Sequence, residues 1–137
     1  MSPRTVFLGR LIGLVCILFS LSMLAHKEAT VGAMTSLLHD VPLMFVIGLI
    51  GLVAGLAMVL SHNVWSGGAL PVIVTLFGWA TAIKCLLVLF LSPEAESRFF
   101  LEGLRYEQLF YFYYALSTLL GIYMVYAAGR PQTRQAT

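Results

Sequence analysis

Four apolar runs, each close to 20 residues long, occupy most of this chain: residues 6–25, 42–60, 69–91 and 108–128. A helix of about 20 residues crosses a bilayer core of roughly 30 Å. Alternating apolar and polar positions are absent, which excludes a membrane barrel. Inside lipid the backbone must satisfy its own hydrogen bonds, so each run is expected to be a helix. Composition agrees, because only 10% of the 137 residues are charged and 60% are hydrophobic. A soluble domain carries about 25% charged residues. The expected fold is therefore an all-α membrane protein. Four transmembrane helices form one antiparallel bundle, and the chain is a single domain over residues 1–137.

The first run follows Arg4 and Arg10, as a secretory signal would. Its end is a poor cleavage site, since Met23-Leu24-Ala25 offers one small residue where two spaced ones are wanted. Cys16 follows Val15, where a lipoprotein signal would place a small residue. A retained first helix is expected. Cys16 and Cys85 both lie deep in apolar runs and read as small buried side chains. No CxxC or Cys/His spacing suggests a metal.

Lysine and arginine in the flanks set the orientation. Arg4, Arg10, Arg130 and Arg134 share one side with the 61–68 turn, against Lys27, Arg98 and Arg105 on the other. This bias places both termini in the cytoplasm. All six acids fall on the opposite side. No basic stripe suggests nucleic acid.

The two outer loops carry helical signals of their own. Thr30 is placed to cap a helix through Leu38, with Val31, Met34, Leu37 and Leu38 on one apolar face. Such a helix is expected to lie on the membrane surface. Ser92-Pro93-Glu94 reads as a cap, a first-turn proline and an early acid, which implies a second surface helix over residues 93–104.

Helices in lipid associate through small residues that allow close approach. Gly48, Gly51 and Gly55 line the second run, Gly9 and Gly13 the first, and Ser117 and Gly121 the fourth. Packing within the bundle is the first reading of these stripes, and a homo-oligomer contact the second. Residues 110–114 are five consecutive aromatics, preceded by Tyr106. At 100° per residue they surround the helix, so a belt at the membrane interface is the first expectation. The alternative is a ligand groove on Tyr106, Phe110 and Tyr113. Tyr123 and Tyr126 are placed to form the belt at the opposite interface.

Lys84 is the one charge well inside a run. It stands about seven residues, roughly 10 Å, from the end of the third span. An unpaired charge at mid-bilayer costs about 2.5–3.5 kcal/mol on insertion scales. Thr81 on the same face can accept a hydrogen bond, and Glu107, at matching depth, is the acid expected to pair with it. Snorkelling, an ion or ligand path and a partner contact are the other readings. Trp79 is also far from the interface that tryptophan prefers, and is expected to be a packed interior ring beside Gly78.

Ser61-His62-Asn63-Val64-Trp65-Ser66-Gly67-Gly68 is the most polar stretch between two spans. Ser61 or Asn63 is expected to bond the open helix end. Gly67 and Gly68 relax the turn, Trp65 anchors at the headgroups and His62 meets water. No acid lies on that side to complete a Ser/His/Asp set with Ser61 or Ser66. His26, His39 and His62 have no ligand spacing. No catalytic, cofactor or metal site is expected.

The pattern His62-Asn63-Val64-Trp65, Thr75-Leu76-Phe77-Gly78-Trp79, Lys84 five residues on and Ser92-Pro93 after the span resembles a family of small uncharacterised bacterial four-helix integral membrane proteins. The stretch covers residues 42–93, and His62, Asn63, Trp65, Gly78, Trp79 and Lys84 match. The resemblance implies the fold and a bacterial inner membrane, and carries no activity. Small multidrug transporters match in size alone, because their first-helix glutamate has no counterpart here. The residues left as functional candidates are Lys84, Glu107, Thr81, Trp79, His62, Asn63 and Trp65. The first expectation is an accessory, assembly or interaction subunit of a membrane complex, in contact with the lipid bilayer and with a protein partner or further copies of itself. The alternative is a small oligomeric transporter or channel that uses Lys84.

Overall fold

The computed structural model describes residues 2–92, 95, 98 and 106–130, apart from the side chains of Tyr106 and Glu107. Among the described residues five helices of full extent follow one another: α1 (Pro3–Ala25), α2 (Lys27–His39), α3 (Val41–Ser61), α4 (Ala69–Phe90) and α5 (Tyr106–Gly129). Four of them, α1, α3, α4 and residues Gln108–Gly129 of α5, are long and apolar enough to cross a membrane. The fold is all-α. The start of α1, the end of α5 and the 62–68 turn lie at one end, and α2 lies at the other.

Local chemistry sets the helix ends. Ser2 caps α1 by accepting the Thr5 N–H at 3.2 Å, and Pro3 occupies the first helical turn where its missing N–H costs nothing. Asp40 caps α3 by accepting the Leu43 N–H at 3.0 Å, with Pro42 just inside. α1 thus starts three residues before the apolar run does. Between α1 and α2 the chain kinks at His26. Thr30 does not cap α2, which begins three residues earlier. Its hydroxyl instead donates to the Met23 carbonyl at 3.3 Å, a second donor to a carbonyl that also accepts the His26 N–H at the end of α1. The expected apolar face of α2 is present, with Leu38 buried and Val31, Met34 and Leu37 half-buried. Ser92 accepts the Ala95 N–H at 3.3 Å, as its reading as a cap requires. The surface helix expected over residues 93–104 falls outside the described residues.

The four long helices pack as two tight pairs, α1 with α5 and α3 with α4. The pairs meet chiefly through α1 and α4, whereas α1 and α3 make no substantial contact. Each pair is drawn together by glycines. A Cβ on Gly55 would stand 2.6 Å from the Ala82 nitrogen and 2.9 Å from its Cα. Gly48 faces Val88 and Leu89, and Gly51 faces the Cys85 sulfur. In the other pair, a Cβ on Gly13 would stand 2.8 Å from the Gly121 carbonyl oxygen, and one on Gly121 would stand 2.7 Å from that of Gly13. Such mutual approach leaves room for Cα–H···O contacts as well as dispersion. The glycine stripe of α3 is therefore spent on α4 within one chain.

A core of Leu70, Val74, Met124, Ala127 and Ala128 joins α4 to α5, with Ile12 and Phe77 packed against it. It lies in the half of the bundle nearest the termini. Arg10 reinforces that end by donating to the Ala128 carbonyl at 3.4 Å. The five aromatics of α5 do surround the helix, as their spacing dictates. Phe110 is fully buried, Tyr113 and Tyr114 are half-buried, and Tyr111 and Phe112 face outward. Lys27 sits over the rings of Tyr111 and Phe110, with its ammonium 5.0 and 5.8 Å from their centres.

Candidate functional site

Two places collect the residues that stand out in the sequence: the 62–75 turn and the middle of α4. At the turn, His62 ends α3, and its N–H still reaches the Met58 carbonyl at 2.8 Å. The ring then folds inward. Nε2 donates to the Pro71 carbonyl at 3.3 Å, and the residue is only 3% exposed. This overturns the expectation that His62 meets water. The turn is short, and the nearest carbonyl for an imidazole N–H belongs to the first turn of α4 rather than to solvent.

Thr75 holds the turn from inside, although it was not among the candidates from the sequence. It is fully buried, accepts the Val64 N–H at 3.0 Å, and its hydroxyl donates to the Val64 carbonyl at 3.0 Å with the His62 carbonyl 3.5 Å away. One hydroxyl thus satisfies both backbone groups of Val64. A β-branched Thr four residues after Pro71 is an ordinary α4 residue in sequence; only the folding back of residues 62–65 gives it a task. Asn63 does not cap a helix end. Its side chain accepts the Trp65 indole N–H at 2.7 Å, and Ser61 bonds the helix end by donating to the Met58 carbonyl at 3.3 Å. Trp65 is exposed, as an interfacial anchor should be. Gly67 and Gly68 have φ of 88° and 116°, values that side chains beyond glycine strain to adopt. Gly68 offers α4 no side-chain cap, but Pro71 removes one of the N–H groups a cap would serve.

No family model matches this chain, and no curated protein or solved structure matches it.

The middle of α4 departs from expectation at Trp79. That ring is 41% exposed rather than packed inside. The reason is helical phase. Gly78 turns inward, where an added Cβ would stand 3.3 Å from Met58 and Val59 of α3, so the next residue, 100° further round, is carried onto the flank. Lys84 stands on the opposite flank of the outer face, 140° from Trp79 on an ideal helical wheel (roughly, at 100° per residue). It lies on nearly the same face as Phe77, two turns beyond it, and it is exposed. Phe77 packs against the core cluster, which does not extend to the depth of Lys84. Thr81, one turn below, is half-buried. The side chain of Glu107, the expected partner of Lys84, lies outside the described residues, as does that of Tyr106. His26 and His39 flank α2 and are separated by roughly 20 Å along its axis, at 1.5 Å per residue, too far to share one ligand.

The arrangement gives the turn a structural task and leaves Lys84 as a charged group exposed within the span of α4.

Proposed function

We propose that this chain is a small interaction subunit of a membrane complex, resident in a bacterial inner membrane with both termini in the cytoplasm. The observation that carries this is the exposure of Lys84 within the span of α4. A charge lining a path through the bundle would face its interior; this one turns outward, beside Ala80 and Leu87. An ammonium in that position is stabilised by an acid, a helix-end carbonyl or a hydroxyl from a neighbouring helix, on the scale of the about 2.5–3.5 kcal/mol that a mid-bilayer charge costs. The apolar outer face of α4, with Leu76, Ile83 and Leu87, supplies the surrounding contact area.

A native pull-down in mild detergent tests the reading. The wild-type chain should recover a partner, Lys84→Met should lose at least about tenfold of it, and Lys84→Arg should keep most, since a fully lost charge contact at this depth exceeds 1.4 kcal/mol. Recovery of this chain alone counts against the reading. If Lys84→Met instead abolishes solute flux in liposomes while leaving partner recovery unchanged, transport replaces it.

The orientation has a separate check. In a background with Cys16 and Cys85 replaced by alanine, a cysteine placed at Ser66 should react with an impermeant maleimide only from the cytoplasmic side. Labelling from the periplasmic side inverts the topology. The basis is the excess of arginine at the termini end.

A further inference from the structure

The sparse contact between α1 and α3 leaves an open groove at the end of the bundle where α1 begins and α3 ends. It has a volume of about 400 Å³ and is lined by Pro3, Arg4, Phe7, Leu8 and Ser61. That volume falls within the roughly 300–1,000 Å³ usual for small-molecule sites. Its walls are almost wholly apolar, and its polar residues are Arg4 and Ser61, the hydroxyl of Ser61 being held by the Met58 carbonyl. Both stand in the first or last turn of their helices, at headgroup depth, whereas Phe7 and Leu8 stand one turn deeper. A ligand that suits this order is charged at the outer end and apolar below.

The sign of the charge follows from the surroundings. The charged side chains described at this end are Arg4, Arg10 and Arg130, and both described acids, Glu28 and Asp40, belong to the opposite end. Two of the arginines are engaged elsewhere. Arg10 donates to the Ala128 carbonyl, and Arg130 donates to the Tyr126 hydroxyl at 3.0 Å while lying over its ring. Arg4 is the cation left at the groove. A guanidinium presents forked N–H donors that suit a phosphate diester.

We infer that the α1–α3 groove is a binding site for one anionic phospholipid, its phosphate on Arg4 and an acyl chain along Phe7 and Leu8. The bound lipid fills the space where α1 and α3 pack only sparsely, so it joins the two helix pairs at that end. It needs no protein partner.

The test is native mass spectrometry of the full chain equilibrated in micelles with equal phosphatidylglycerol and phosphatidylcholine. The wild type should retain one phosphatidylglycerol with a preference of about fivefold, the value of one basic residue near an anionic surface. Arg4→Gln should retain both lipids equally. Arg10→Gln should keep the preference, because that side chain is committed to α5. Leu8→Trp, which fills the groove, should lower retention of both. Equal retention by the wild type overturns the proposal. So does an equal loss in Arg4→Gln and Arg10→Gln, which would reduce the effect to general surface charge.

Discussion

Gly55→Ala should destabilise the chain by about 1–3 kcal/mol, although alanine is the better helix former by about 1 kcal/mol. The cause is the closeness of the α3–α4 contact. The added methyl would stand 2.6 and 2.9 Å from backbone atoms of Ala82, which cannot rotate away as a side-chain end can. The helices must part, and every neighbouring contact loosens with them. In lipid this matters more than in water, because helix association there rests on close packing with no hydrophobic drive behind it. Gly32→Ala is the internal control. Nothing lies within 4 Å of the position where its Cβ would stand, so the substitution should stabilise α2 by about 0.5–1 kcal/mol. Gly13→Ala and Gly121→Ala should each resemble Gly55→Ala, and the double variant should cost less than their sum, since parting α1 from α5 for one methyl makes room for the second. Unfolding by sodium dodecyl sulfate in mixed micelles, followed by circular dichroism, gives all five values on one scale. If Gly55→Ala and Gly32→Ala shift stability in the same direction, close backbone approach is not what holds α3 to α4.

The same glycines show where sequence reading reaches its limit. The spans were legible because span length and apolarity are properties of one segment, and the helices start and stop within three residues of the apolar runs. The cap by Ser2 accounts for the largest difference, since a cap extends a helix past the apolar stretch that announces it. Pairing was not legible. Small residues four apart occur in the first and second runs alike, and the pattern names a packing face without naming the neighbour. Trp79 and His62 were misplaced for a related reason. Depth was judged from position in the run, but exposure depends on phase around the helix axis. Gly78 takes the inward position and carries Trp79 out; the fold of the turn takes His62 in. Lys84 stands out in the sequence as the unusual charge. Its facing outward could be seen only once α3 was known to occupy one flank of α4 and the core another.

Thr75→Val should cost about 1–3 kcal/mol while changing the side-chain volume little. The hydroxyl at position 75 receives the Val64 N–H and serves the Val64 carbonyl, so its loss strands two backbone groups at once. The methyl of valine cannot replace either bond, and it occupies the place of the hydroxyl at a fully buried position, so water does not take over the two bonds. Thr75→Ser keeps the hydroxyl and loses only a methyl, about 0.8 kcal/mol of burial, so it should be the milder change. The effect should also be local. Hydrogen exchange at the Val64 amide should rise by about tenfold or more in Thr75→Val, the equivalent of 1.4 kcal/mol, and stay near wild type in Thr75→Ser. His62→Phe probes the neighbouring bond, because it fills similar space but gives the Pro71 carbonyl no donor. Its damage should couple to that of Thr75→Val, since both side chains hold the same four residues against α4 and each loss frees the segment for the other. Additive effects, or equal exchange in the valine and serine variants, would mean that the turn is set by its glycines and its length rather than by the buried hydroxyl and imidazole. Coupling would make the polar 61–68 segment a lock on the α3–α4 hairpin, which is what positions the outward flank of α4 that carries Lys84.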